Sequence, residues 1–148
     1  MPRRESYRPT RRSRGEIEAI VLSCLKQAAA PLGAYEVSEA AAKAGSNLAA
    51  MQVYRTLGRL VERGTVHRVE SLSAYLAIDR PIDGLAICRM CRNIEALAAP
   101  ELKRGLLEAI SSAQFRAHRT VIEVIGLCAR CQQREQAGLI GRGGPPSI

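Results

Sequence analysis

Two cysteine pairs at matching spacing, Cys88-x-x-Cys91 and Cys128-x-x-Cys131, constrain this chain more than any other feature. A CxxC turn presents two thiolates along one edge of a tetrahedron, and a second such turn closes it around a zinc ion with Zn–S bonds of about 2.3 Å. Four thiolates leave no open coordination position, so the zinc is structural and not catalytic. The spacing therefore predicts one structural Zn²⁺ per subunit, stapling the first strand turn of a C-terminal segment to the end of its last strand. Arg89, Arg92 and Arg130 lie beside these cysteines and offset the charge of about −2 that a tetrathiolate zinc carries. The alternative is a redox-active thiol pair. A thioredoxin-like site uses one pair near a βαβ unit, whereas this chain has two pairs and no evident base beside Cys88 or Cys128. On these grounds the chain is not expected to be an enzyme.

Composition bounds the rest. The 148 residues are 47% hydrophobic and 24% charged, which is ordinary globular usage and excludes wholesale disorder. No apolar run approaches the roughly 18 residues of a transmembrane helix, and no apolar segment follows the Arg-rich start as a secretory signal requires. No membrane partner and a cytoplasmic setting are expected, where cysteines serve as ligands or free thiols more often than as disulfides. The net charge of +8 points to an anionic partner, nucleic acid first.

Residues 1–14 hold Arg3, Arg4, Arg8, Arg11, Arg12 and Arg14 against Glu5, with no periodicity, and are expected to form a disordered basic arm. Such an arm is either a solvated tail or a strap along phosphates, with Arg11 and Arg12 as contact candidates. Residues 15–80 give three helices and a hairpin. Ile17, Ile20, Val21, Cys24, Leu25 and Ala28 form one helical stripe, and Ser13 with Glu16 makes a capping box. Cys24 sits mid-stripe and is expected in the core. A second helix runs to Ala44, where Gly45 ends it, and Ser46 or Asn47 is expected to cap a third. In that third helix Val53, Leu57, Leu60 and Val61 share one face, and Gln52, Arg55, Arg59 and Glu62 share the other. Strand-like runs Thr65–Glu70 and Ala74–Ile78 follow. Three helices and a hairpin make a winged helix-turn-helix, whose third helix enters a major groove with Arg55 outward and with Gln52 and Arg59 of the same face as further contact candidates. The alternative is a small helical domain whose polar face is merely wet.

Residues 81–84 are expected to be a hinge. From 85 to 134 the order is two short strands around the first CxxC, a helix opened by Pro100, and a β-branched strand at 120–127. The fold class is α+β: a winged helix-turn-helix followed by a small α/β dimerisation domain with a four-cysteine zinc site. That second unit is too small to bury much core alone, so a metal and a partner subunit are expected. Residues 135–148 are expected to be a disordered tail.

Several segments resemble the ferric uptake regulator family: Gly33-Ala34-Tyr35-Glu36, Val53-Tyr54-Arg55-Thr56-Leu57, Gly64-Thr65-Val66-His67-Arg68-Val69-Glu70-Ser71, Ile87-Cys88, and Ile122-Glu123-x-Ile125-Gly126-Leu127-Cys128. The Val66–Ser71 segment followed by Ala74-Tyr75 is most similar to its zinc uptake regulator branch. The resemblance implies a homodimeric repressor that binds AT-rich palindromic double-stranded operators. It places Tyr54 and Arg55 on the reading helix and Tyr35 at the preceding one. For Tyr54 the alternative is core packing with its hydroxyl at the surface. Members sense metal through a His-rich segment before the first CxxC, but here residues 81–87 contain no histidine, and the chain has only His67 and His118. A regulatory site of His67, Asp83 and Glu95 is what remains, and the alternative is that His67 merely packs at the hinge. The expected function is a DNA-binding transcriptional repressor whose metal-sensing site is eroded or rebuilt. Two other classes stay open, a zinc-ribbon adaptor for protein or RNA and a thiol redox-responsive regulator.

Overall fold

A computed structural model describes residues 12–139. Arg11 and most of the expected arm lie outside that range, as does the end of the expected tail.

Helix α1, Arg14–Gln27, opens on the capping box: the Glu16 N–H donates to Ser13 Oγ at 3.2 Å, and the Ser13 N–H donates to the Glu16 carboxylate at 2.6 Å. Two N–H groups that the first turn leaves unpaired are satisfied in this way. Helix α2, Ala34–Lys43, begins after Gly33, which has no side chain to cap with, so Glu36 reaches back to accept its N–H at 2.6 Å. Gly45, at φ +80°, turns the chain out of the helix in a conformation that costs glycine little.

Helix α3, Ala50–Glu62, starts later than expected, and neither Ser46 nor Asn47 caps it. Leu48 is drawn into the core, and Ser38 Oγ donates to its carbonyl at 2.6 Å, which keeps this segment out of the helix. Gln52 then supplies the missing cap by accepting the Ala49 N–H at 3.0 Å. Val53, Leu57 and Leu60 of α3 meet Val21 and Leu25 of α1 and Val37 of α2 in one aliphatic core, which Val66 and Tyr75 close from the wing.

The wing is β1, Val66–Val69, paired antiparallel with β2, Ala74–Ala77, with Val66 opposite Ala77 and Val69 opposite Ala74. A 3₁₀ turn at Glu70–Leu72 joins them. Leu32 clasps the outer edge of β2, exchanging both backbone hydrogen bonds with Tyr75.

The second unit is a three-stranded sheet in the order β4-β3-β5, made of β3 (Gly84–Cys88), β4 (Ile94–Leu97) and β5 (Glu123–Gly126). Strand β3 pairs antiparallel with β4 and parallel with β5. Helix α4, Pro100–Ser112, makes the crossover that parallel pairing requires, with Pro100 in the first turn, where a missing N–H costs nothing. No residue of α4 is buried, and Leu102 is 55% exposed. A last helix, α5 (Ala129–Gln136), begins inside the second CxxC and carries structure past residue 134, where the sequence suggested the tail would start. Val69 of the wing packs with Leu85 and Ile87 of β3 in a second apolar cluster, so the two units touch through buried side chains.

Candidate metal centre and nucleic-acid interface

Cys88 ends β3 and is buried, while Cys91 closes the turn that follows. That turn is held by Cys88 N–H donating to the Asn93 carbonyl and Arg92 N–H to the Cys88 carbonyl, both at 2.9 Å. Cys128 is the N-cap of α5 and Cys131 lies in its first turn, 0% exposed. The parallel β3–β5 pairing places Cys88 opposite Gly126 and so brings the two CxxC turns side by side. All four sulfurs lie within 4.8 Å of one another, with Cys91 Sγ and Cys128 Sγ at 3.7 Å. A tetrahedron with bonds of about 2.3 Å has edges of about 3.8 Å, so the sulfurs stand close to where a zinc ion needs them.

The electrostatics agree. Burial pushes the Cys88 thiol up, but backbone N–H groups of Cys128, Cys91 and Met90 aimed at its sulfur outweigh burial and bring it down to about 6. Cys131 is pushed up to about 12 by burial and by the sulfurs of Cys128, Cys88 and Cys91. Four thiolates cannot crowd together without a cation at their centre. Arg130 donates to the Cys91 sulfur and contributes one positive charge at the rim. Arg92 turns instead to Glu36 of α2, at 3.8 Å.

His67, Asp83 and Glu95 are not brought together. Among the described residues, the four cysteines are the one group of three or more His, Cys, Asp or Glu side chains close enough to share a metal. His67 is half-buried on β1 opposite Leu76, where burial, reinforced by Arg119, holds its imidazole below the usual value. Asp83 spends its carboxylate on the Ala99 N–H at 3.0 Å, ahead of α4. Glu95 projects from β4 into solvent.

The residues suggested for DNA divide by the work they already do. Tyr35 and Tyr54 are 68% and 44% exposed, and their rings meet edge to face with centroids 6.1 Å apart, a favourable aromatic geometry. Tyr54 is therefore not in the core. Arg55 stands exposed beside it. Arg59 is tied to Glu18 at 3.3 Å and to Thr56 at 3.1 Å, and Gln52 caps its own helix, so both help hold α3 in place. Arg12 donates to the Asn47 carbonyl at 3.0 Å, which pins the chain ahead of α1 to the turn before α3.

Sequence reasoning gave no role to Glu123 or Arg119. Glu123 accepts the N–H groups of Glu70 and Ser71, and Arg119 pairs with the Glu70 carboxylate. A carboxylate in the middle of the β-branched run Val121-Ile122-Glu123-Val124-Ile125 was the available signal.

No family model matches the chain. The chain is 29% identical over 124 residues to the zinc uptake regulation protein of Escherichia coli (strain K12), covering 80% of this chain and 71% of that protein. Among solved structures, holo XcZur is 30% identical with a TM-score of 0.72 over 79% of this chain and 84% of its own. A zinc uptake regulator complexed with zinc and DNA is 28% identical with a TM-score of 0.74, covering 81% of this chain and 83% of that one. The Helicobacter pylori ferric uptake regulator, at 21% identity and a TM-score of 0.59, shares the fold.

Proposed function

This chain belongs to the ferric uptake regulator family, and from that premise we propose that it is a cytoplasmic, homodimeric, DNA-binding transcriptional repressor with one structural zinc per subunit. The observation that carries the reading is the division of labour on α3. One face is consumed by the core, and the other presents Arg55 and Tyr54 to solvent, with Tyr35 of α2 against the Tyr54 ring, on a chain of net charge +8.

Cys88, Cys91, Cys128 and Cys131 would hold the zinc. Once bound, it supplies a cross-link and positive charge, and no catalysis. The chain's own residues do the rest. Helix α3 would lie in the major groove, where Arg55 is suited to a bidentate contact with guanine O6 and N7. Arg12 and the arginines ahead of it supply phosphate contacts, so affinity falls steeply with added salt. The operator is a palindrome, because two copies related by a twofold axis present two copies of α3, and the resemblance to the family implies that it is AT-rich. The metal-sensing site suggested by His67, Asp83 and Glu95 is not preformed, which supports a response to metal that is rebuilt elsewhere or weakened. Nothing in the site favours an adaptor or a thiol-redox regulator over this reading.

The test is to select duplexes from a randomised pool with the zinc-loaded protein, then measure affinity for the selected sequence. An AT-rich palindrome is expected. Arg55→Ala is expected to weaken binding roughly tenfold or more and to relax selection at one position per half-site. Unchanged affinity and unchanged selection would remove α3 as the reader.

A further inference from the structure

The two units of the chain meet at an atomic latch. Glu123 on β5 lies opposite Leu85 of β3, and its side chain reaches across to the wing. One carboxylate oxygen accepts the Glu70 N–H at 2.6 Å and the other accepts the Ser71 N–H at 2.9 Å. These are the first two N–H groups of the 3₁₀ turn at Glu70–Leu72, the donors that a helical N-terminus leaves unpaired, and a carboxylate is their strongest acceptor. Around this core, Arg119 holds the Glu70 carboxylate at 2.5 Å and Arg68 holds its other oxygen at 3.1 Å. Val69, next to Glu70, and Leu85, opposite Glu123, pack with Ile87 in the apolar cluster between the units. Burial pushes the Glu123 carboxyl up, but the Ser71 hydroxyl and the two N–H donors outweigh it and keep it below the ordinary range. His67 faces the same charges and is held toward its neutral form, so it does not draw Glu123 away from the backbone.

We propose that Glu123 is a positioning residue that fixes the wing, and with it α3, against the zinc-stapled unit. Protein donors and acceptors thereby do what a metal bridging the hinge would otherwise do. The wing cannot swing independently of α3, because β1 and β2 share its core and Leu32 clasps β2 from behind. Releasing two adjacent N–H groups at residues 70 and 71 therefore loosens the front unit as one body, with the Val69–Leu85–Ile87 packing and the Arg119–Glu70 pair left to hold it. The consequence for DNA rests on the repressor reading above, whereas the latch itself does not.

The experiment is amide hydrogen exchange by NMR on the zinc-loaded full-length protein. Glu123→Ala is expected to speed exchange at Glu70 and Ser71 at least tenfold, leaving the amides of α3 and β1 as they are. Glu123→Gln keeps the shape and one acceptor, so it is expected to unprotect one of the two. Unchanged exchange at both positions in Glu123→Ala overturns the proposal. If that variant fails to fold, wild-type exchange at both amides in Glu123→Gln overturns it instead. On the selected duplex, Glu123→Ala is expected to bind at least tenfold more weakly, and added zinc sulfate is expected not to restore it. Wild-type affinity alongside accelerated exchange would mean that the latch does not position α3, and the proposal would fall. A wild-type protein that selects no duplex sinks the repressor reading, and the exchange data then decide the latch alone.

Discussion

Gly84 shows how much one missing side chain can matter. It opens β3 where the strand runs against Ile122, and a Cβ built on it would stand 2.9 Å from Ile122 Cγ2 and 3.1 Å from the Ile122 carbonyl oxygen. Because one of these neighbours is backbone, the clash cannot be relieved by a rotamer change. Gly84→Ala is expected to cost about 1–3 kcal/mol, read as a lower melting temperature of the zinc-loaded protein. A melting temperature at or above wild type would mean that β3 and residue 122 are not packed so closely. At this scale the sequence was partly legible. Ser13 and Glu16 form the capping box that their spacing announces, because that motif is local. The restraint on Arg59 was not, since its partner Glu18 lies 41 residues away. The start of α3 was misplaced because burial of Leu48, a tertiary event, overrode the local capping preference of Ser46 and Asn47.

Among the elements, the metal clamp matters most to the second unit. Cys91 and Cys128 are 37 positions apart, and fixing them to one ion removes the closure entropy of that loop, worth about 3–4 kcal/mol. The sheet it closes has three short strands and α4 buries nothing, so little else holds this unit together in a single chain. Removing zinc with a strong chelator, or replacing Cys131 by Ser, is expected to abolish the one zinc per chain. Protection of β3, β4, β5 and α5 should be lost while α1–α3 stay folded, as metal analysis and hydrogen exchange would report. Retained zinc stoichiometry in the Cys131 variant would exclude it as a ligand. The cysteine spacing made this centre legible in advance. Helix α5 was not, because Ala129–Gln136 has no apolar stripe and Cys131 is its one buried residue. The proposed grouping of His67, Asp83 and Glu95 rested on resemblance, and their side chains, on β1, just ahead of β3 and on β4, form no cluster close enough to share a metal.

For the whole molecule, the decisive feature is where apolar surface is left uncovered. Leu102, Leu106 and Leu107 on α4, Phe115, and Val121, Val124 and Ile125 around β5 are all exposed in one chain. That much apolar surface on a unit this small is unusual for a monomer, and it is the surface the proposed homodimer would bury. Val124→Asp is expected to convert a dimer into a monomer in analytical ultracentrifugation while keeping its zinc. A dimer that survives would place the interface elsewhere. The three helices and the outward face of α3 were legible from helical periodicity, which needs no tertiary knowledge, whereas periodicity alone left the winged fold and a small helical domain both open. The polar part of the link between the two units was not, because the Glu123 carboxylate meets two backbone amides more than fifty positions away in sequence.

The parallel partnership of β3 with β5 also has a consequence for biosynthesis. Everything the winged unit needs has been synthesised once β2 has been made, but β3 must wait for its neighbour on the far side of α4, and Cys88 and Cys91 must wait for Cys128 and Cys131. During translation the front half is therefore complete before the rear half can close, and the rear sheet closes only after the second cysteine pair has emerged.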